Sequence, residues 1–252
     1  MMDVHDRPTA DTPFSTDPPH RIERPIMRQE WRDAAFLHWP VDPAEVQSLI
    51  PAGLEPDTFD GKAWVGLIPF RMVGIRTPGL PAVPYLGTFP ETNVRTYVRD
   101  MTGRPGVWFH SLEASRLLPV WTARVAYSLP YMWAKMTIEH ADGTYRYATS
   151  RRWPGPKGVG GTIAVRPDPQ PAGITPLDAF LTARWGLYSA NRSGNLRYAP
   201  VEHPASPLHR ASVIEFSTSL VRSAGYEGTL GDPHALWSPA IPVRVGLPSA
   251  VR

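Results

Sequence analysis

Between Pro90 and Arg99 the chain reads P-E-T-N-V-R-T-Y-V-R, a run that sets groups able to do chemistry at alternate positions. Successive side chains of a β-strand point to opposite faces. Glu91, Asn93, Arg95, Tyr97 and Arg99 therefore share one face, and Thr92, Val94, Thr96 and Val98 the other. The two valines require a core, so the polar row faces either water or a polar cavity. Its mixture of carboxylate, amide, guanidinium and phenol is that of a small-molecule pocket wall. A structural ion pair between Glu91 and Arg95 on a sheet surface is the plainer alternative. Elsewhere Arg124 can hold a carboxylate bidentately or serve as a buried partner for Glu113 or Glu91.

Other chemistries find little support. With no cysteine, disulfides, thiolate nucleophiles and thiolate metal sites are absent together. His203 and His209 flank a proline-rich turn without metal-ligand spacing, and His110, alternating with Trp108 and Leu112, reads as a core or interface histidine. No G-x-S-x-G elbow is present. The glycine-rich stretch 155–161 lacks the ending of a phosphate loop and reads as a hairpin turn. Neither a metal nor a cofactor is expected. The tryptophans Trp64, Trp108, Trp133, Trp185 and Trp237 read mainly as core, with one or two able to stack on a ligand.

A formal charge of +3 raises the question of nucleic acid. The three lysines (Lys62, Lys135 and Lys157) and the scattered arginines form no basic stripe, so no nucleic-acid partner is expected. No apolar run reaches the roughly 18 residues that span a bilayer, and the N-terminus has no apolar signal region. Cytoplasmic residence without a membrane partner is the default. Self-association into a homo-oligomer stays open.

The elements that must position the polar row are mostly strands. Thirty prolines and twenty glycines in 252 residues favour many short elements and a β-rich fold. Residues 1–25 read as a disordered tail and 26–252 as a single domain, ordered from about Ile26. Asp42-Pro43-Ala44-Glu45 caps a short helix ending near Pro51. Lys62 to Met72 forms a long apolar strand whose Pro69 implies an edge or a bulge. A short helix is expected from Ser111 to about Val120, then strands over 124–128 and 131–140. Ala141-Asp142-Gly143 makes a hairpin turn. Leu177 to Leu187 is the best helix, and the remainder returns to strand.

Several blocks carry a resemblance: G-K-A-W-V-G-L-I-P-F (61–70), P-E-T-N-V-R-T-Y-V (90–98), G-V-W-F-H-S-L-E-A (106–114), L-P-Y-M-W-A-K-M (129–136), F-L-T-A-R-W-G-L-Y (180–188) and W-S-P-A-I-P-V (237–243). In order, over roughly residues 26–247, they resemble the YqjF-like family, which is grouped with the acetoacetate decarboxylase-like superfamily. The resemblance implies a mainly β fold with few helices, an antiparallel sheet curled into a cone or barrel around a central pocket. Acetoacetate decarboxylase works through a lysine that forms a Schiff base, in a pattern like G-R-E-I-G-x-x-P-K. The corresponding stretch here, A-R-V-A-Y-S-L-P-Y (123–131), keeps Arg124 and Pro130 but puts Tyr131 in place of the lysine. Glu91 resembles the glutamate that lines the decarboxylase pocket.

A phenol cannot form an imine, though it can donate a hydrogen bond to an oxyanion or exchange a proton. Lys135, four strand positions from Tyr131, lies too far off to replace the missing amine. The expected protein binds a small carboxylate or carbonyl compound. Glu91 and Tyr131 would be the acid–base groups, with Asn93, Arg95, Tyr97 and Arg124 binding the ligand. If catalytic, it would be lyase-like or isomerase-like rather than a Schiff-base decarboxylase. A non-catalytic binding or sensing protein with the same pocket is the alternative, and a structural protein with an empty cavity the third reading.

Overall fold

Alternating apolar residues become strand almost throughout a computed structural model that describes residues 15–79, 81, 87–116, 128–191, 193–228 and 230–251. The strands are β1 (Met27–Val41), β2 (Leu54–Pro56), β3 (Ala63–Arg76), β4 (Phe89–Asp100), β5 (Pro105–Ala114), β6 (Tyr131–Ala141) and β7 (Thr144–Trp153), followed by β8 (Gly160–Pro171), β9 (Gly186–Ala190), β10 (Leu196–Glu202), β11 (His209–Thr218), β12 (His234–Val245) and β13 (Ser249–Ala250). They form one continuous sheet that closes on itself. β12, β1, β3, β4 and β5 are successive neighbours, and β9 and β10 lead from β5 back to β12. A second route between β5 and β12 runs through β6, β7, β8 and β11. Pairing is antiparallel except where β5 meets β6 and β9. The expected curled, cone-like β architecture is the one observed.

The five shared strands consequently have an interior on each side. Phe36, Ile68, Phe70, Val201 and Ile241 gather on one side. Leu37, Trp39, Val65, Val94 and Val98 gather on the other, covered by Tyr147, Ile163 and Val165 of β7 and β8. β4 thus has no solvated face; from Glu91 to Val98 every residue is buried. This is the arrangement that lets one strand carry a polar row and an apolar row at once.

Local chemistry explains the bends. The Asp42 carboxylate accepts from the Ala44 N–H at 2.8 Å and caps the helix Pro43–Leu49. The β6–β7 hairpin turns on Asp142 and Gly143, both at positive φ (50° and 71°), as a two-residue turn of the primed type requires. Pro69 pairs with Thr92 in an interior strand, beside a slip in the β1–β3 register between Arg32 and Leu37. The bulge, not an edge, accommodates it.

Two helix expectations are corrected. Residues 111–114 continue β5 as strand because they pair with β4 and β6, and 117–120 fall outside the described residues, as does most of the strand expected over 124–128. The helix expected over 177–187 is Pro176–Thr182, started by a Thr175–Asp178 capping box. It stops because Gly186 and Leu187 enter β9. There a Cβ on Gly186 would meet the Tyr198 ring at 2.1 Å, so glycine permits the β9–β10 pairing. A one-turn helix, Leu220–Ser223, has no counterpart in the sequence reading. At the N-terminal side the chain docks ahead of Ile26. Ile22 is buried, and its N–H donates to the Glu202 carboxylate at 2.5 Å.

Candidate functional site

Inside the ring of β12, β1, β3, β4, β5, β9 and β10 lies a cavity of about 430 Å³. Its walls are predominantly apolar, with Phe36, Ile68, Phe70, Met72, Phe89, Phe109, Leu187, Val201 and Ile241 among the lining residues. Three successive odd positions of β4, Glu91, Asn93 and Arg95, supply polar groups to that wall, and Tyr131 at the start of β6 supplies a fourth. Tyr131 reaches the cavity because β6 runs parallel to β5, which sets Tyr131 beside Leu112, itself opposite Asn93.

Glu91 and Tyr131 are in contact. The Tyr131 hydroxyl donates to Glu91 Oε2 at 3.2 Å. Burial among apolar side chains pushes the Glu91 carboxyl up to about 8, against a smaller opposing effect of the Tyr131 hydrogen bond. The same burial, with the carboxylate beside it, pushes the Tyr131 phenol well above its ordinary value. Both groups therefore hold their protons at neutral pH.

Arg95 makes no ion pair with Glu91 or with any other acid among the described residues. Its Nη2 donates to the Leu181 carbonyl at 3.1 Å and to the Tyr97 hydroxyl at 3.3 Å. Its Nε has no hydrogen-bond partner among the described residues, and neither has Asn93 Oδ1. Phe36 and Tyr97 present ring faces to the guanidinium, with centroids 5.9 and 5.5 Å away.

Tyr97 shares the parity of the polar row but does not line the cavity. Its hydroxyl donates to the Leu181 carbonyl at 2.8 Å and meets His38 Nε2 at 2.6 Å, so the ring props the wall from behind. Arg99 reaches away to Asp57 at 2.7 Å. Arg124 lies outside the described residues. Lys62, Lys135 and Lys157 are all exposed, and the cavity is lined by no lysine among the described residues. The partner found for Glu113 is Arg151, in a buried pair at 2.5 Å.

Sequence reasoning missed Arg184, and it weighed His203 only as a metal ligand. Arg184 lines the cavity while its Nη1 donates to Asp57 at 2.5 Å and its Nε to the Phe180 carbonyl at 2.6 Å. His203, also lining, lies against Trp185 at 4.5 Å between centroids, and burial lowers its basicity. Both sit next to turns, and no local pattern marks them. The ring closure through β9 and β10 is what brings them in. No group of side chains fit to hold a metal ion occurs among the described residues.

With the Tyr131 hydroxyl donating to Glu91, the protonated Glu91 carboxyl can donate one hydrogen bond to a ligand oxygen, and Arg95 can neutralise an anion. Among solved structures, acetoacetate decarboxylase from Legionella pneumophila superposes with a TM-score of 0.65 at 13% identity, covering 100% of this chain and 98% of its own. An acetoacetate decarboxylase-like enzyme from Sphingomonas wittichii gives 0.63 at 11% identity, over 90% and 93% of the two chains. The enduracididine biosynthesis enzyme MppR, in its complex with pyruvate, gives 0.58 at 13%, over 92% of each. These likenesses establish the fold. Closer in sequence is the uncharacterized protein YqjF of Bacillus subtilis, 38% identical over 201 residues that make up 79% of this chain and 81% of that one. With residues 28–242 also matching the DUF2071 family of uncharacterized conserved proteins, the chain belongs to that YqjF-like family, on an acetoacetate decarboxylase-like fold.

Proposed function

We propose that the cavity binds a small organic anion bearing a carbonyl or hydroxyl oxygen, and that any chemistry there is acid–base chemistry without an imine. The observation that carries this reading is Arg95. A guanidinium buried in an apolar chamber costs free energy unless it is paired, and Arg95 has no acidic partner among the described residues. A ligand carboxylate would supply the missing charge, while the protonated Glu91 carboxyl, held by Tyr131, would donate to its second oxygen function. MppR in its complex with pyruvate holds an anion of this class on the same fold.

A second reading, a binding or sensing protein without turnover, is favoured by the Glu91–Tyr131 pair. Both groups are protonated at neutral pH, so they make good donors and leave no strong general base. A thermal-shift screen with keto, hydroxy and aromatic acids tests the shared core of both readings. At least one class should raise the Tm of the parent and not that of Arg95→Met. If no organic acid shifts the parent, the proposal is wrong. A bound acid that persists unchanged by NMR favours the sensor, and product formation favours the enzyme.

A further inference from the structure

Two of the polar groups of the cavity wall, Glu91 and Arg95, stand at opposite ends of a stretch of strand. Glu91 and Arg95 are four positions apart on β4, which separates their α-carbons by ~13 Å at the rise of an extended chain. Their heads take different partners. Arg95 leans toward Tyr97 and the Leu181 carbonyl, in the C-terminal direction of the strand, whereas Glu91 is turned to Tyr131 on β6. Most of the remaining lining is apolar, with side chains such as Phe36, Val201 and Ile241, though Arg184 and His203 also reach it. Asn93 lies between the two ends, and its Oδ1 is without a partner among the described residues.

A short β-keto acid cannot use both ends. One methylene separates its carboxylate from its ketone, so engaging Arg95 leaves Glu91 and Tyr131 out of reach. From this spacing we infer that the cavity takes an elongated amphipathic acid, with its carboxylate at Arg95, a remote hydroxyl or carbonyl at Glu91 and Tyr131, and an apolar body against the apolar lining. The inference rests on the anion-binding reading above and narrows it. A cavity of about 430 Å³ falls in the size range of small-molecule sites and has room for such a body. A donor on the body near Asn93 would satisfy a buried acceptor that a plain alkyl chain leaves bare.

Calorimetric titration of the full chain with ω-hydroxydecanoate, decanoate, decanol, acetoacetate and pyruvate tests this. One added neutral hydrogen bond predicts that ω-hydroxydecanoate binds about threefold to tenfold tighter than decanoate. Both should bind more tightly than the short keto acids. The double variant Glu91→Leu/Tyr131→Phe should erase the difference between the two ten-carbon acids and leave decanoate binding in place. Arg95→Met should weaken both acids alike and spare decanol. Because the ligand series is read on the parent protein, a variant that failed to fold would not remove the test. Decanoate matching ω-hydroxydecanoate, or acetoacetate or pyruvate binding as tightly, would overturn the elongated ligand while leaving anion binding intact. Failure of every acid to bind would overturn both.

Discussion

The Tyr131 hydroxyl lies 3.2 Å from Glu91 Oε2 in an apolar cavity, so a carboxylic acid and a phenol share one buried hydrogen bond. Desolvation, not charge pairing, dominates both groups. Their common consequence is a site that donates protons at neutral pH.

Glu91 should make stability depend on pH in a stated direction. Its folded pKa, about 8, is above the unfolded value, so the native state binds more protons between about pH 4.5 and 8 and loses stability as pH rises through that window. The cost is absent below the unfolded pKa and constant above the folded one. Glu91→Gln, which cannot ionise, should therefore gain on the parent by a few kcal/mol, in order of magnitude, between pH 5 and pH 9. Urea denaturation of both proteins at the two pH values measures this. Parallel pH dependences would show that Glu91 is not desolvated.

No imine should form. With all three lysines exposed and outside the cavity, acetoacetate and borohydride should leave the intact mass unchanged. A reduced adduct mapped to Lys62, Lys135 or Lys157 would contradict the arrangement.

Arg95→Met should fold. The Leu181 carbonyl keeps the Tyr97 hydroxyl as a donor, so removing the guanidinium strands no acceptor there. Loss of an unpaired buried cation offsets loss of its hydrogen bonds, and the expected change in stability is within about 1 kcal/mol. Carboxylate binding, by contrast, should weaken. A large fall in Tm would mean that Arg95 is a structural tie.

Arg151→Met should be far more damaging. Glu113 is fully buried and the Arg151 side chain only 6% exposed. Breaking the pair leaves a charge uncompensated, at a cost of about 3–5 kcal/mol. Replacing both partners by apolar residues should recover much of that loss, as a double-mutant cycle would show.

Removing residues 1–14 should leave the Tm unchanged, since that segment of sequence has no apolar period to pack. Starting the chain at Ile26 should lower stability by about 1.5–3 kcal/mol through loss of the buried Ile22 side chain. Equal Tm values for the two truncations would show that Ile22 contributes nothing.

Much of the site was legible where chemistry is written along one strand. The period of two from Glu91 to Val98 foretold a polar and an apolar row, and both exist. Tyr97 obeys the same parity yet falls behind the wall, because the chain around Leu181 reaches over that end of β4 and takes its hydroxyl. Local pattern cannot foresee a contact made across 84 positions. The stretch 177–187 reads as a long helix because apolar spacing continues past Thr182. Only the pairing of β9 with β10 ends it. Arg184 and His203 were hidden for the same reason. Their place depends on ring closure, which no stretch of the sequence encodes by itself.

Because β4 is enclosed on both sides, its reading frame is as important as its residues. Inserting a single residue ahead of Glu91 would exchange the two rows, sending Thr92 and Val94 to the cavity and the carboxyl, amide and guanidinium into the packed interior beside Leu37 and Val65. A solvated strand survives such a slip by turning its charges to bulk water, but this one is buried on both sides. Insertions and deletions in the family should accordingly be excluded from this strand and collect in the connections on its flanks, whatever ligand each member has come to hold.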